Sequence, residues 1–239
     1  MNKTITVNGA SAYHSYPDDG GKHPAIIIIE EIWGLNDQIK GVADRFAQAG
    51  FSALAPEILP RELLQQLTPQ LKVDLWDPVK RNEAQPKMRA AMAPIMQPEY
   101  AGQAIATLKA CVDYLLADEQ VDGSVAVLGF CFGGSYSFHL AAQSSRIKAA
   151  VPFYGQAPSE DEVQKIQCPI LAFYGDQDAN LMQTLPELKE TMQKYNKNFE
   201  AVVYPGAGHA FFNETNERMY RPDNAQDAWE KTIQFLKSI

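Results

Sequence analysis

VLGFCFGGSY, residues 127–136, carries a β-prone apolar run into a single cysteine and then into a glycine pair. Val125 to Phe130 read as a buried strand broken only by Gly129, and Cys131 is followed by Phe132, Gly133 and Gly134. Small residues on both sides of one reactive side chain have a physical reason at a sharp strand-to-helix turn. The apex must adopt an unusual backbone conformation, and its neighbours must lack bulk for strand and helix to approach. Such a turn also sets the sulfur at the amino end of a helix, where the dipole favours negative charge. A buried free cysteine beside a glycine-rich turn would give the same string. The rest of the chain has to decide between the two.

Outward from this point, strand and helix signals alternate. AIIIIE (25–30) is a short β-branched run of the kind found in strands buried on both faces. Ile39, Val42, Ala43, Phe46 and Ala47 then recur at helical spacing until Gly50 stops them. FSALAPE (51–57) is a second strand. A helix over about 100–117 presents Ile105, Leu108, Val112, Leu115 and Leu116 on one face, and another follows the cysteine from about Gly133 to Ala142. IKAAVPFYG (147–155), PILAFYG (169–175) and FEAVVYPG (199–206) read as strands. Helices are expected near 185–194 and over about 224–237, and the alternation in residues 1–20 reads as strands. This order predicts an α/β fold, a mostly parallel central sheet with helices on both faces. Reactive groups of such sheets collect at the carboxyl edge of the strands. Between Pro60 and Pro98 the pattern lapses into six prolines and patchy apolar periodicity, which predicts an irregular, partly helical excursion near 60–98 within a single domain spanning 1–239.

Composition narrows the function. The chain has 239 residues, 46% of them apolar, enough for one large buried core. Lys plus Arg number 21 against 29 Asp plus Glu, a net charge of −8, which argues against nucleic acid and anionic membrane surfaces as partners. The N-terminus lacks the apolar core of a signal peptide, and the run Ala25–Ile29 is far too short to span a bilayer. Three scattered cysteines, Cys111, Cys131 and Cys168, fit neither a disulfide framework nor a zinc cluster. The expected setting is cytoplasmic, with thiols kept reduced, and the expected state is a monomer or small homo-oligomer. No metal and no cofactor is implied, because neither ligand spacing nor a G-x-G-x-x-G or P-loop is present.

Gly129-Phe130-Cys131-Phe132-Gly133 resembles the G-x-S-x-G nucleophile elbow of α/β-hydrolases, with cysteine in the serine position. That pattern requires an acid after a later strand and a histidine later still. Asp176 and Asp178 both follow the strand ending at Gly175, and YPGAGHAFF places His209 on a glycine-rich loop after the last strand. Asp178 is favoured as the acid, with Asp176 forming the turn by bonding its own backbone. His14, His23 and His139 lack such a setting and read as surface or core residues. Upstream, IIIIEEIWGLND ends a strand in Glu30 and Glu31 where half of an oxyanion hole is built. Backbone N–H groups of Ile32 and Phe132 are the expected donors. Two carboxylates directly after a buried strand suggest that one of them has work to do.

EEIWGLNDQI, FSALAPEI, GFCFGGSYSF, FYGDQD, YPGAGHAFFN and AQDAWEKTIQFL together resemble the dienelactone hydrolase family, in order and over about residues 20–239. The resemblance implies a hydrolase of a small lactone or carboxylic ester, of carboxymethylenebutenolidase type. It implies Cys131 as nucleophile, His209 as base, Asp178 as the acid orienting it, and Glu31 as the group that accepts the thiol proton when substrate binds. One departure concerns substrate. Family members that cleave dienelactones carry an arginine four residues after the histidine, and here that position is Asn213. Weak preference for a substrate carboxylate is therefore expected. Arg61, Arg81 and Arg89 are candidate replacements, Arg218 and Arg221 lie just past the histidine loop, and Trp33, Arg81 and Asn213 are the positions expected to touch substrate. The rival readings are a carboxylesterase of other substrate, a non-catalytic binding or regulatory protein on the same fold, and a thiol redox protein. The last of these would lack a resolving cysteine.

Overall fold

The computed structural model describes residues 1–77 and 79–239, with Trp76 described by its backbone alone. Among them eight strands form one sheet: β1 (Asn2–Val7), β2 (Ala10–Ser15), β3 (His23–Ile29), β4 (Ser52–Pro56), β5 (Val121–Phe130), β6 (Ile147–Phe153), β7 (Ile170–Gly175) and β8 (Phe199–Tyr204). Their order is β1-β2-β4-β3-β5-β6-β7-β8. β1 and β2 form an antiparallel hairpin that joins β4 antiparallel, and every other pairing is parallel. The isoleucine run of β3 is completely buried, as a β-branched central strand covered on both faces should be.

Helix α1 (Asp37–Gln48) starts at Asn36, whose side chain accepts a hydrogen bond from the Ile39 amide. It packs beside the C-terminal α9 (Pro222–Lys237), where the rings of Phe46 and Trp229 meet at 4.7 Å between centroids. On the other face α5 (Pro98–Leu116), α6 (Phe132–Gln143), α7 (Glu160–Lys165) and α8 (Ala179–Lys194) form a continuous row. Two helices depart from expectation. The six-residue α7 had no periodic signal to reveal it, although Ser159 and Glu162 form a full capping box. Helix α8 starts directly after Asp178 and runs through Pro186, burying Leu181, Leu185, Leu188 and Met192.

The excursion is more regular than its prolines suggested. It forms α2 (Arg61–Gln66), α3 (Pro69–Trp76), α4 (Arg81–Met92) and a 3₁₀ turn (Ala93–Met96). Pro69, Pro94 and Pro98 lie in the first turn of their helices, where a missing N–H costs nothing. Among the excursion's described prolines, Pro86 alone sits inside a helix.

Register aligns the strand ends. Ile29 pairs with Gly129, Phe130 with Phe153, Phe153 with Phe173, and Gly175 with Tyr204. The residues just past β3, β5, β6, β7 and β8 therefore emerge at one carboxyl edge. This architecture is an α/β-hydrolase fold.

Candidate active site

Cys131 stands at that edge between β5 and α6 with φ 55° and ψ −110°. Residues with a side chain rarely occupy this region, and they do so where surrounding structure enforces it. The enforcement is visible: the Cys131 amide donates to the Phe153 carbonyl at 3.0 Å, and the Cys131 carbonyl accepts from the Ser135 amide at 3.1 Å. A Cβ at Gly129 would lie 2.1 Å from the Gly133 carbonyl oxygen, and one at Gly133 would lie 2.2 Å from that of Ile29. The flanking glycines thus allow strand and helix to touch. Phe132 is the first residue of α6, so its amide has no carbonyl one turn back to bond. Cys131 is half-buried, whereas Cys111 and Cys168 are buried in the core and burial pushes their thiols up to about 12 and 11.

The loop after β8 turns at Gly206 (φ 70°) and brings His209 to the same edge. Its Nδ1 lies 2.5 Å from Asp178 Oδ2. Burial alone would lower the imidazole, but the hydrogen bond to Asp178, with Cys131 beside the ring, outweighs it, lifting His209 to about 10. A ring held at Nδ1 by a carboxylate and sharing a cavity with a sulfur is arranged to pass a proton near that sulfur. Asp176 takes a different part. Its Oδ1 accepts from the Gly206 amide and the Gln177 side chain, both at 2.8 Å, so it ties the ends of β7 and β8 together and does not bond its own backbone as anticipated.

Glu30 and Glu31 are both buried, Glu31 at 3% exposure and Glu30 completely. Glu30 is a structural bracket. Its Oε1 accepts from the amides of Ile58 (2.9 Å) and Leu59 (2.8 Å), and its carbonyl accepts from the Gly133 amide (3.1 Å). Burial pushes its carboxyl up to about 8, and Oε2 has no partner among the described residues. Glu31 faces the site. Its Oε1 accepts from the Tyr154 hydroxyl at 3.1 Å and its Oε2 from Asn213 Nδ2 at 2.9 Å. Burial raises the Glu31 carboxyl, opposed by those two bonds and by the nearby charges of His209 and Lys72.

Asn213, expected to touch substrate, lines the pocket and also braces Glu31. Only 2% exposed, it donates to Glu31 while its Oδ1 accepts from the Thr215 amide (3.0 Å) and hydroxyl (2.7 Å). It contributes to the pocket wall chiefly as a support for Glu31. Tyr154, just past β6, belongs to no motif of the sequence. It has φ 39° and its ring lies 5.0 Å from that of His209.

A cavity of about 270 Å³ opens above Cys131 and His209. Glu31, Ile32, Trp33, Lys72 and Arg81 line it, the last two reaching in from α3 and α4. Lys72 Nζ stands 5.1 Å from the centre of the Trp33 indole, a cation–π contact that sequence spacing did not single out. Arg61, Arg89, Arg218 and Arg221 are not among the described residues of this lining. Arg221 instead donates to the carbonyls of Gly206, Arg218 and Tyr220. His14 bonds Ser52, His23 bonds Asp19 and His139 bonds Glu162, all away from the sulfur. Among the described residues no cluster of His, Cys, Asp or Glu could hold a metal ion, and no helix is long and apolar enough to cross a membrane.

Known proteins resemble this chain in sequence and fold. A protein named "Putative carboxymethylenebutenolidase" from Saccharolobus solfataricus is 34% identical over 235 residues, covering 90% of this chain and 89% of the relative. One from Bradyrhizobium sp., named "Probable 2-oxo-3-(5-oxofuran-2-ylidene)propanoate lactonase", is 33% identical over 98% of this chain and 92% of its own length. The crystal structure titled "Putative Dienelactone Hydrolase" from Klebsiella pneumoniae superposes with a TM-score of 0.81 at 25% identity, covering 100% of this chain and 98% of that one. The profile of the dienelactone hydrolase family matches residues 10–239, from the hairpin through the elbow to the last helix. Fold, sequence and solved relatives converge, and the chain belongs to the dienelactone hydrolase family of hydrolases.

Proposed function

We propose that the protein hydrolyses a small lactone or carboxylic ester carrying an acidic group, with Cys131 as nucleophile. The reading rests on one observation above all: Cys131 at a strained turn, facing the same cavity as a histidine held by Asp178. The thiol gives up its proton and sulfur attacks the ester carbonyl carbon, forming a tetrahedral oxyanion. The amides of Ile32 and Phe132 stabilise that charge. The C–O bond then breaks as His209 protonates the leaving oxygen, which leaves a thioester on Cys131. Water attacks the thioester, His209 takes its proton, and the C–S bond breaks to release the carboxylic acid and return the thiol. A lactone stays in one piece and leaves as a hydroxy acid or its keto form. Glu31 is placed beside this machinery by Tyr154 and Asn213, and we assign it the thiol proton during attack.

Asn213 in place of an arginine led to an expectation of weak carboxylate preference, but Lys72 and Arg81 give this pocket two other cations in a chain of net charge −8. A substrate carboxylate is the natural partner for such a pair. The lactone in the name of the Bradyrhizobium relative is a propanoate, an anion of the same class. Turnover of an acidic dienelactone should disappear in Cys131→Ala, and intact mass should detect a thioester in the parent after a brief mix with an activated aryl ester. Lys72→Met and Arg81→Met should each raise KM for the acidic lactone by about tenfold, the worth of one charged hydrogen bond, and leave a neutral lactone little changed. Undiminished turnover by Cys131→Ala would end this reading.

A further inference from the structure

A second cavity, of about 460 Å³, also reaches Cys131. It shares Ile32, Cys131 and His209 with the cationic pocket and leads away along α5, α6 and α8. Met92, Ile95, Met96, Phe132 and Leu181 stand among its apolar lining. No lysine or arginine stands among its described lining. The carboxylate it contains, Asp178, is taken by His209, and the one further imidazole, His139, is taken by Glu162 at 2.6 Å. Ala101, Tyr136 and His139 carry this arm onward into a third hollow of about 440 Å³ between α5 and α6. The sulfur therefore stands where two compartments meet, one holding Lys72 and Arg81 and the other without lysine or arginine among its described lining, where Gln97, Ser135, Gln156 and Asn180 stand among the apolar side chains.

We propose that the apolar compartment is a substrate arm that takes an uncharged hydrocarbon chain on one side of the scissile carbonyl, while Lys72 and Arg81 take the acidic end. This inference rests on the reading of Cys131 as nucleophile, since the arm is defined by its opening at that sulfur. An anion entering this arm would lose water and meet, among its described lining, no cation beyond the His209 imidazole at the sulfur until Lys109 of the third hollow. A hydrocarbon there releases water from apolar wall, and flexible Met92 and Met96 can repack around chains of differing shape. The chain can belong to the acyl or to the alkoxy half of the ester, and the two are separable by experiment.

Non-hydrolysable amides test the arm apart from catalysis. N-octylacetamide and N-methyloctanamide would be titrated calorimetrically into the Cys131→Ala protein, with N-methylacetamide as the short parent. A fully buried methylene favours binding about fourfold, and in an arm open at its outer end about half of that is expected. One of the two long amides should bind at least tenfold more tightly than the parent, and which one it is assigns the arm to the acyl or alkoxy half. Ala101→Trp, at an exposed position of α5 on the arm's path, should cut that advantage to threefold or less. Met96→Trp, 75% exposed, serves as the second blocking variant. Long amides no tighter than the parent, or tight binding untouched by both tryptophans, would overturn the proposal. Tight, blockable amide binding without turnover of the matching esters by the parent enzyme would instead keep the arm and remove Cys131 as nucleophile.

Discussion

Cys131 shares its unusual backbone with two neighbours: Tyr154 has φ 39° and Ala210, next to His209, has φ 62°. Three residues with side chains in the left-handed region at one sheet edge store strain of about 1–3 kcal/mol each. Glycine relieves that strain, so Cys131→Gly should be more stable to denaturant than Cys131→Ala by about 1 kcal/mol. Equal stability of the two variants would mean the turn is unstrained. The two aspartates should part in kind. Asp178→Asn should cost roughly 10²-fold or more in turnover, because the imidazole loses the carboxylate that orients it. Asp176→Asn should act on stability, through the Gly206 amide, and leave turnover within a few-fold; kinetics and denaturation of both variants check the ranking. The sulfur, both aspartates and His209 were readable in the sequence because their types and order are chemically distinctive. Tyr154 and Lys72 were not. A tyrosine closing a strand and a lysine on a polar helix carry no mark of the buried carboxylate that both influence.

At the scale of elements, the strands were legible because β-branched runs and helical spacing are local signals, whereas the excursion hid its helices behind prolines that start them. The elbow offers a sharper contrast. Gly133→Ala puts a methyl group against the Ile29 carbonyl oxygen at 2.2 Å. It should destabilise the protein by about 3 kcal/mol or prevent folding, as overpacking against rigid backbone does. Gly41, in the interior of α1, has open space around the added carbon, and Gly41→Ala should stabilise by about 0.5–1 kcal/mol. Urea midpoints of the two variants in opposite directions are the expected outcome. Similar midpoints would show that the strand–helix approach is looser than 2.2 Å implies.

For the whole molecule, the buried ionisable groups set how stability follows pH. Glu30 is raised to about 8 by burial. The native state thus holds a proton that the unfolded chain releases near pH 4.5. Its contribution is full below that value and is lost as pH climbs through 8. His209, lifted to about 10 against the downward pull of burial, acts with the same sign from about pH 6.5 upward. His14, lowered to about 4 chiefly by burial, works oppositely and removes stability as pH falls below about 6.5. Glu30→Gln should flatten the decline between pH 5 and 8 and leave the part above it. Denaturation midpoints across that range decide the matter, and an unchanged slope would show that Glu30 is ionised in the native state. None of this was visible in the sequence, where Glu30 and Glu31 are adjacent, identical and separated only by which loop each one meets.

The division of labour between the sheet edge and the helices α2 to α4 has a historical consequence. The sulfur, imidazole and carboxylates come from the ends of four strands, β3, β5, β7 and β8, whose register is locked across the sheet. The cations of the pocket come from one contiguous stretch of chain inserted after β4. Insertions, deletions or recombination confined to that stretch would rewrite what the pocket admits and leave the reacting atoms in place. Lineages sharing this sheet can therefore diverge in diet while inheriting one chemistry, and a laboratory library limited to residues 61–96 is the economical place to repeat that experiment.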